Sequence, residues 1–180
     1  MKYDEVRIRN LKKMAVQLRS DIIDMIPPGK VGHLGGSCSS ADIVTALYFD
    51  RMNGLDSKNP RNPARDRFLL SKGHAVLVQY AALAELGYFP HDEILKVKTL
   101  GGTLQGHPDI DKTPGLEAVT GSLGQGLSVA QGIALALKLD KNPAKVFCIC
   151  GDGEQAEGQI WEAAMSAPDY KLDNLCVFID

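Results

Sequence analysis

Three short apolar runs along the chain predict the strands of a buried sheet. They occupy residues 68–70, which with Arg67 make up the first predicted strand, 146–150 and 175–179. Continuous hydrophobic stretches of this length, bounded by turn residues, are typical of strands that are covered on both faces. The last two runs lie about one βαβ unit apart, which predicts parallel strands with a helix between them. We therefore expect an α/β fold with a parallel sheet, in which 175–179 is a core strand.

Apolar residues spaced three and four positions apart predict an amphipathic first helix over residues 4–25, which Pro27-Pro28-Gly29 ends. Five further helices are expected: one capped by Ser39 or Ser40, one through about Leu86, one over 92–100, one after Gly121, and one between the last two strands. Pro168 falls inside the last of these, and it should kink or end that helix near Ala167.

Three stretches rich in glycine, proline and polar residues predict loops, namely 32–37, 53–65 and 101–121. The third is long for a connection inside a compact domain, and long ordered loops usually serve binding.

The helix predicted after Gly121 has a small residue at every even position from 124 to 136. These are Gly124, Gly126, Ser128, Ala130, Gly132, Ala134 and Ala136. A glycine inside a helix costs about 1 kcal/mol relative to alanine, so another group must approach this helix closely. Two interpretations stay open: tight packing inside one domain, and contact with a second subunit or a cofactor.

The totals exclude several classes of function. A chain of 180 residues suits one α/β domain, 1–180, and a net charge of −2 favours neither nucleic acid nor an anionic membrane as partner. No apolar stretch is long enough to span a membrane and no signal peptide opens the chain, which predicts a cytoplasmic protein. Because a buried strand rarely ends a domain, we expect the domain to be incomplete after Asp180.

The four cysteines are expected to be reduced. Three of them, Cys148, Cys150 and Cys176, lie in predicted strands, where buried thiols are common, and Cys38 stands alone. No CxxC pair is present, which disfavours a disulfide or a zinc site.

Gly151-Asp152-Gly153 follows the second apolar run directly and carries the clearest chemical signal. It puts one carboxylate and bare backbone amides at the carboxyl end of a parallel strand, where ligands of open α/β sheets bind. The acid suits a hard divalent cation, and the amides at a helix start suit phosphate. The segment predicts a metal–diphosphate site; the alternative is that Asp152 only caps the following helix.

Three of the four histidines, His33, His74 and His107, follow a glycine in a predicted loop. Imidazole can donate to phosphate, move protons near neutral pH and bind sugar hydroxyls, so we predict that the three share a polar site. His91 follows a proline at a helix start and is expected at the surface.

Glu154, Glu157 and Glu162 lie at the beginning of the helix that follows Asp152. The helix dipole accounts for the first two acids, because negative charge is favoured in a first turn, and it accounts less well for Glu162. Trp161 is the single tryptophan and is expected in the core.

Five motifs in a fixed order make the chain resemble the thiamin-diphosphate domain of transketolases, from about His33 to Asp180. They are the segments 32–37, 66–75, 106–108, 120–126 and 151–158. The resemblance implies a three-layer, parallel-sheet domain of the kind that binds the diphosphate of thiamin diphosphate.

The resemblance also implies roles for single residues. His74 matches a histidine that contacts the cofactor diphosphate, and His33 and His107 match histidines that face the ketose and assist proton transfer. Asp152 matches the carboxylate ligand of Mg²⁺ (or Ca²⁺ or Mn²⁺). Further matches are Gly121, Ser122 and Leu123 beside the aminopyrimidine, Gly153 at the diphosphate, and Glu157 and Glu162 in a carboxylate cluster that links two subunits.

Some parts of the family pattern lie outside this sequence. A metal-binding asparagine would fall just past Asp180, and the glutamate that activates the aminopyrimidine belongs to a second domain. Gln105 stands where long single-chain members have proline, and with Gly35-Gly36-Ser37 this looks more like the N-terminal subunit of split transketolases. The resemblance therefore implies that a C-terminal transketolase subunit is the partner, within a homodimer or heterotetramer, and we expect this chain alone to be inactive.

The implied activity is transfer of a two-carbon ketol unit from a ketose phosphate to an aldose phosphate, as in the pentose phosphate pathway. An enzyme similar to 1-deoxyxylulose-5-phosphate synthase is the nearest alternative, and Gly106-His107-Pro108 favours transketolase over it. A dinucleotide-binding domain is disfavoured because the glycines of 121–126 have the wrong order for that fingerprint. A non-catalytic subunit kept for assembly is the third alternative.

Overall fold

A three-stranded parallel sheet forms the centre of the molecule in a computed structural model that describes residues 4–180. The strands are β1 (Arg67–Leu70), β2 (Val146–Cys150) and β3 (Leu175–Ile179), in the spatial order β1-β2-β3. Arg67 pairs with Val146, and Val146 pairs with Leu175, so all three strands start level. The predicted strands and the parallel sheet are confirmed.

Six α-helices surround the sheet within the described residues. They are α1 (Glu5–Asp24), α2 (Leu34–Ser39), α3 (Ala41–Ala46), α4 (Leu77–Glu85), α5 (Gln125–Leu139) and α6 (Gly158–Asp169). A π-helical turn, Leu47–Arg51, continues α3, and short 3₁₀ segments occupy Gly73–Ala75, His91–Lys96 and Gly153–Ala156. Asp4 caps α1, since its side chain accepts from the backbone N–H groups of Val6 and Arg7.

Side chains that alternate along the strands build two separate cores. Phe68, Leu70 and Ile149 point to the face that α1, α3 and α4 cover. Leu69 and Cys148 point to the opposite face, which α5 and α6 cover. This alternation follows from the two-residue period of a strand, and it confirms a three-layer α/β domain.

The small residues of α5 serve mainly to pack this helix on the sheet. Gly126, Ala130 and Ala134 are buried. A Cβ at Gly126 would lie 2.4 Å from Ser71 Oγ, so α5 touches the chain that leaves β1. Gly132 is exposed, with open space where a Cβ would stand. Internal packing therefore explains the buried members of the series, and contact with a second subunit stays a prediction for the exposed ones.

The expectation that β3 is a buried core strand is wrong for the described chain. Val177 and Ile179 are 39% and 64% exposed, and Cys176 is exposed as well. β3 lies at one edge of the sheet, and its side chains are only partly covered, whereas the two cores cover β1 at the other edge. Trp161, expected in the core, is 57% exposed and donates its indole N–H to the carbonyl oxygen of Gln155.

Several helix boundaries differ from the predicted ones. The glycine-rich segment 32–37, expected as a loop, contains the start of α2, and the helix expected over 92–100 shrinks to the 3₁₀ segment His91–Lys96. Ser40 precedes α3 without capping it, since its own backbone is helical, and its hydroxyl donates to Asp180. Pro168 lies inside the last turn of α6, which ends at Asp169, so the helix stops close to the predicted place.

The loops predicted over 53–65 and 101–121 contain neither helix nor strand. Over residues 4–180, no helix combines the length and the apolar character needed to cross a bilayer.

Candidate functional site

The carboxyl ends of the three strands open onto one cleft. β1 leads into Ser71–His74, β2 leads into Gly151–Gly153, and β3 leads into Asp180. Because the strands are parallel, these segments meet at the same edge of the sheet. The cleft has a volume of about 470 Å³ and is lined by Gly35, Gly36, Ser39, Lys72, His74, Leu123, Gly151, Asp152, Gly153, Glu154 and Asp180.

His74 lies at the inner side of this cleft. Its ring stands edge-on to that of His33, with the ring centroids 4.9 Å apart. Burial is the main cause that lowers the pKa of His74 below its ordinary value of 6.5. The nearby His33 and Lys72 lower this pKa further, because positive charge close to His74 disfavours its protonated form. At neutral pH His74 is therefore a neutral imidazole, which offers one N–H donor and one acceptor nitrogen.

Two glycines allow close contacts between loops near His74. A Cβ at Gly73 would lie 2.4 Å from the carbonyl oxygen of Thr120, so the segment starting at Thr120 touches the backbone just before His74. Gly121 has φ +151°, and a Cβ there would lie 2.7 Å from Cδ2 of His107. The imidazole of His107 therefore rests on Gly121, and any larger residue at position 121 would displace it.

Tyr80 holds the loop that carries His107. Its hydroxyl lies 3.1 Å from the carbonyl oxygen of Gln105 and 3.2 Å from that of His107. Burial raises the pKa of Tyr80 to about 12, which keeps the phenol protonated as the donor. The three glycine-bounded histidines are thus linked through direct contacts and shared loops, and both His33 and His107 expose their side chains to solvent.

Glu154 is a buried acid that the sequence placed only in a helix start. It is 2% exposed. Its carboxylate accepts hydrogen bonds from Ser71 Oγ at 2.6 Å, from the N–H of Gly124 at 2.8 Å and from the N–H of Gly151 at 2.9 Å. One side chain therefore joins the loops after β1 and β2 to the start of α5.

Lys72 and Asp180 form an ion pair at the cleft that no sequence pattern indicated. Lys72 is 3% exposed, and its ammonium group also donates to the carbonyl oxygen of Gly36 at 3.2 Å. Ser39 and Ser40 donate to the Asp180 carboxylate at 2.8 and 2.7 Å. Burial alone would raise the pKa of Asp180, but the hydrogen bonds from Lys72 and the two serines hold it below its ordinary value.

Asp152 presents an uncommitted carboxylate to the cleft. Its backbone is fixed, since its N–H donates to the carbonyl oxygen of Asp180 at 2.9 Å. Its side chain is exposed and makes no capping hydrogen bond to the 3₁₀ segment that follows, so the alternative of a simple helix cap is wrong. Open space lies beside the Cα of Gly153. One free carboxylate fits a divalent cation whose other ligands are phosphate oxygens and water.

Of the other predicted site residues, some reach the cleft and some do not. Leu123 lines it, and Ser122 is its exposed neighbour. Glu157 and Glu162 do not line it: Glu157 directly precedes α6, Glu162 lies on α6, and both are exposed. Glu157 packs against Gly124, where a Cβ would come within 2.7 Å of the Glu157 Cβ.

Comparisons with known proteins agree with this geometry. A family model described as "Transketolase, thiamine diphosphate binding domain" matches residues 10–180. An apulose-4-phosphate transketolase subunit of Phocaeicola vulgatus is 42% identical over 175 residues, which are 97% of this chain and 62% of that protein. The 6-deoxy-6-sulfo-D-fructose transketolase subunit SqwG of a Clostridium species is 46% identical, over 95% of this chain and 62% of that protein.

Solved structures give the same result. The transketolase of Leishmania mexicana superposes with a TM-score of 0.87 at 32% identity, over 94% of this chain and 27% of that one. The transketolase of Campylobacter jejuni superposes with a TM-score of 0.84 at 32% identity, over 100% of this chain and 28% of that one. The present chain thus spans about three fifths of the two relatives that are named as subunits and less than a third of the solved transketolases.

Proposed function

Because the chain belongs to the transketolase family, in its thiamin-diphosphate-binding domain, we propose that it forms one half of a split transketolase. With a C-terminal partner subunit it would transfer a two-carbon ketol unit from a ketose phosphate to an aldose phosphate, using thiamin diphosphate and Mg²⁺ or a similar ion. The observation that carries this proposal is the free carboxylate of Asp152 in the same cleft as the neutral imidazole of His74, at the shared end of the parallel strands.

The diphosphate and its metal ion would bind where β2 ends. Asp152 is the metal ligand in this proposal, because its carboxylate is exposed, fixed by its backbone and free of a capping bond. His74 would donate its one N–H to a phosphate oxygen, and the open backbone at Gly153 would let a phosphate approach closely. Lys72 is not available for this purpose, since the Asp180 carboxylate engages its ammonium group.

The bound cofactor would supply a carbon nucleophile that accepts and passes on the two-carbon unit. The chain's own task beyond binding is to move protons at sugar oxygens. His33 and His107 are our candidates, because both are exposed, His33 packs against His74 and His107 packs against Gly121. Gly121, Ser122 and Leu123 would contact the aminopyrimidine and the part of the cofactor that joins it to the diphosphate.

A second polypeptide completes the site in this proposal. The names of two relatives contain the word subunit, and nearly the whole of the present chain matches each of them. The acid that activates the aminopyrimidine would come from that partner. Glu157, just before α6, and Glu162, on α6, are both exposed and would join the carboxylate cluster at a contact between copies. A cytoplasmic location stays a prediction.

The proposal is tested by a ketol-transfer assay that uses a ketose phosphate donor and an aldose phosphate acceptor. We expect turnover when the chain is mixed with a candidate C-terminal subunit in the presence of thiamin diphosphate and Mg²⁺, and no turnover by either chain alone. His107→Ala in the same mixture should reduce kcat by roughly 10²–10⁴-fold, which is the usual contribution of a general acid–base group.

Two results would contradict this account. Turnover by the purified chain alone would show that no partner is needed. Condensation of pyruvate with an aldehyde phosphate, in place of ketol transfer, would indicate an enzyme similar to 1-deoxyxylulose-5-phosphate synthase.

A further inference from the structure

Two acidic side chains and a histidine lie close together in a second cluster, away from the cleft. Asp21 is on α1, Glu85 is the last residue of α4, and His91 begins the 3₁₀ segment that follows. One donor atom from each residue lies within 4.8 Å of the others. Glu85 lies eight residues beyond the start of α4, so the cluster is about 12 Å further along that helix than its cleft end. The proposed transketolase chemistry uses none of these residues.

Asp21 is the unusual member of this cluster. It is 1% exposed. Its Oδ1 accepts a hydrogen bond from Gln17 Nε2 at 2.9 Å, whereas its Oδ2 is buried without any hydrogen-bond partner. A buried carboxylate oxygen that lacks a partner is costly, and native proteins usually supply a donor or a cation for it.

The distances favour a shared metal ion over direct hydrogen bonds. His91 Nε2 lies 3.4 Å from Asp21 Oδ1 and 3.3 Å from Glu85 Oε1. A charge-assisted N–H···O bond is usually about 2.7–2.9 Å long, so both contacts are long for that purpose. Ligand atoms bonded at about 2.0–2.1 Å to a tetrahedral zinc ion lie about 3.3–3.4 Å from one another, which matches the two observed separations.

We propose that Asp21, Glu85 and His91 form a binding site for a zinc-like divalent cation. One imidazole nitrogen and two carboxylates are a donor set that zinc accepts, with water in the fourth position. Mg²⁺ is a poorer occupant, because it prefers oxygen ligands in an octahedral arrangement. The lack of a CxxC pair does not count against this site, since it uses no cysteine.

The surroundings are suited to this role. The side chain of His91 is 50% exposed, which leaves a path for the ion and room for a water ligand. Gln17 donates to Asp21 Oδ1, the oxygen that also faces His91, and so orients the carboxylate, as groups around a metal site commonly do. The ion would fasten the end of α1 to the end of α4 and to the following 3₁₀ segment. Since α1 leads through Pro27–Gly29 to His33, the ion would also steady the chain that enters the cleft.

The test is zinc titration of the purified full chain after removal of metals with a chelator and in the absence of thiamin diphosphate. Wild type should bind one equivalent of Zn²⁺ that His91→Gln binds at least tenfold more weakly. His33→Gln is the matched control, because it removes a cleft histidine and should leave this equivalent unchanged. Co²⁺ in place of Zn²⁺ should give the visible spectrum of a four-coordinate ion without a thiolate charge-transfer band.

Thermal unfolding separates binding from misfolding. In chelator, wild type and His91→Gln should unfold at similar temperatures, and Zn²⁺ should raise the Tm of wild type only. Equal zinc binding by wild type and His91→Gln, or no binding by wild type, would overturn the proposal and leave an ordinary ion pair of His91 with two acids. Because no cofactor is present, either outcome is independent of the ketol-transfer assay.

Discussion

Glu154 joins three loops at the cleft although its charge would ordinarily keep it in water. Its carboxylate accepts from one hydroxyl and two backbone N–H groups, and a carboxylate has acceptor sites for all of them. Each partner comes from a segment that carries a proposed binding residue: His74 after Ser71, Leu123 before Gly124, and Asp152 after Gly151. Glu154 thus holds the three loops of the proposed cofactor site in place, and these hydrogen bonds engage its carboxylate.

We expect Glu154→Gln to destabilise the protein by about 2–3 kcal/mol. The amide nitrogen of glutamine would face donors that need an acceptor, and hydrogen bonds to a buried charge are worth about 1.5–3 kcal/mol each. The measurement is the free energy of unfolding in urea. Glu162→Gln makes the same chemical change on an exposed part of α6 and should stay within about 0.5 kcal/mol of wild type. Equal stability of the two variants would show that the Glu154 network contributes little.

The sequence singled out cleft residues such as Asp152 and His74, and it did not predict that Glu154 and Lys72 of the same motifs are buried beside them. Asp152 and His74 stand out because glycines flank or precede them at strand ends. Glu154 and Lys72 are charged residues, and charge ordinarily predicts exposure. Their burial arises from partners more than 30 residues away in the chain, such as Asp180 for Lys72 and Ser71 for Glu154. A pattern confined to one segment cannot carry that information.

Helix α5 carries small residues on both its buried and its exposed face. On its buried face, Gly126 touches Ser71. On its exposed face, Gly132 has open space beside it. The alternation of small residues was readable in the sequence, but the distinction between the two faces required the position of the helix on the sheet. The exposure of β3 needed the same information, because an apolar run of five residues looks alike at the centre and at the edge of a sheet.

Two matched substitutions test this account of α5. Gly126→Ala would place a Cβ 2.4 Å from Ser71 Oγ and 2.6 Å from Ser71 Cα, so we expect a loss of about 1–3 kcal/mol from overpacking despite the better helix propensity. Gly132→Ala meets nothing within 4 Å and should gain up to about 1 kcal/mol. Urea unfolding of the isolated chain measures both. A gain from both substitutions would mean that α5 does not lie so close to Ser71.

At the scale of the whole molecule, the parallel sheet brings segments from distant motifs close together. Parallel strands bring Ser71–His74, Gly151–Gly153 and Asp180 to one edge, and next to it His33 packs against His74 and His107 against Gly121. The family resemblance implied that these segments share one site, and the roles of their residues stay a prediction. The proposed cation site at Asp21, Glu85 and His91 was not predicted, since its three residues lie on separate elements and belong to no motif.

The most direct test of the central claim is a calorimetric titration of thiamin diphosphate with Mg²⁺, first into this chain alone and then into its mixture with a C-terminal subunit. We predict that binding appears or tightens only in the mixture, and that Asp152→Ala weakens it by about tenfold or more because the metal loses its protein ligand. Asp169→Ala, which removes an exposed acid at the end of α6, should bind as wild type does. Unchanged binding by Asp152→Ala, or no binding by a folded chain in the mixture, would contradict the claim.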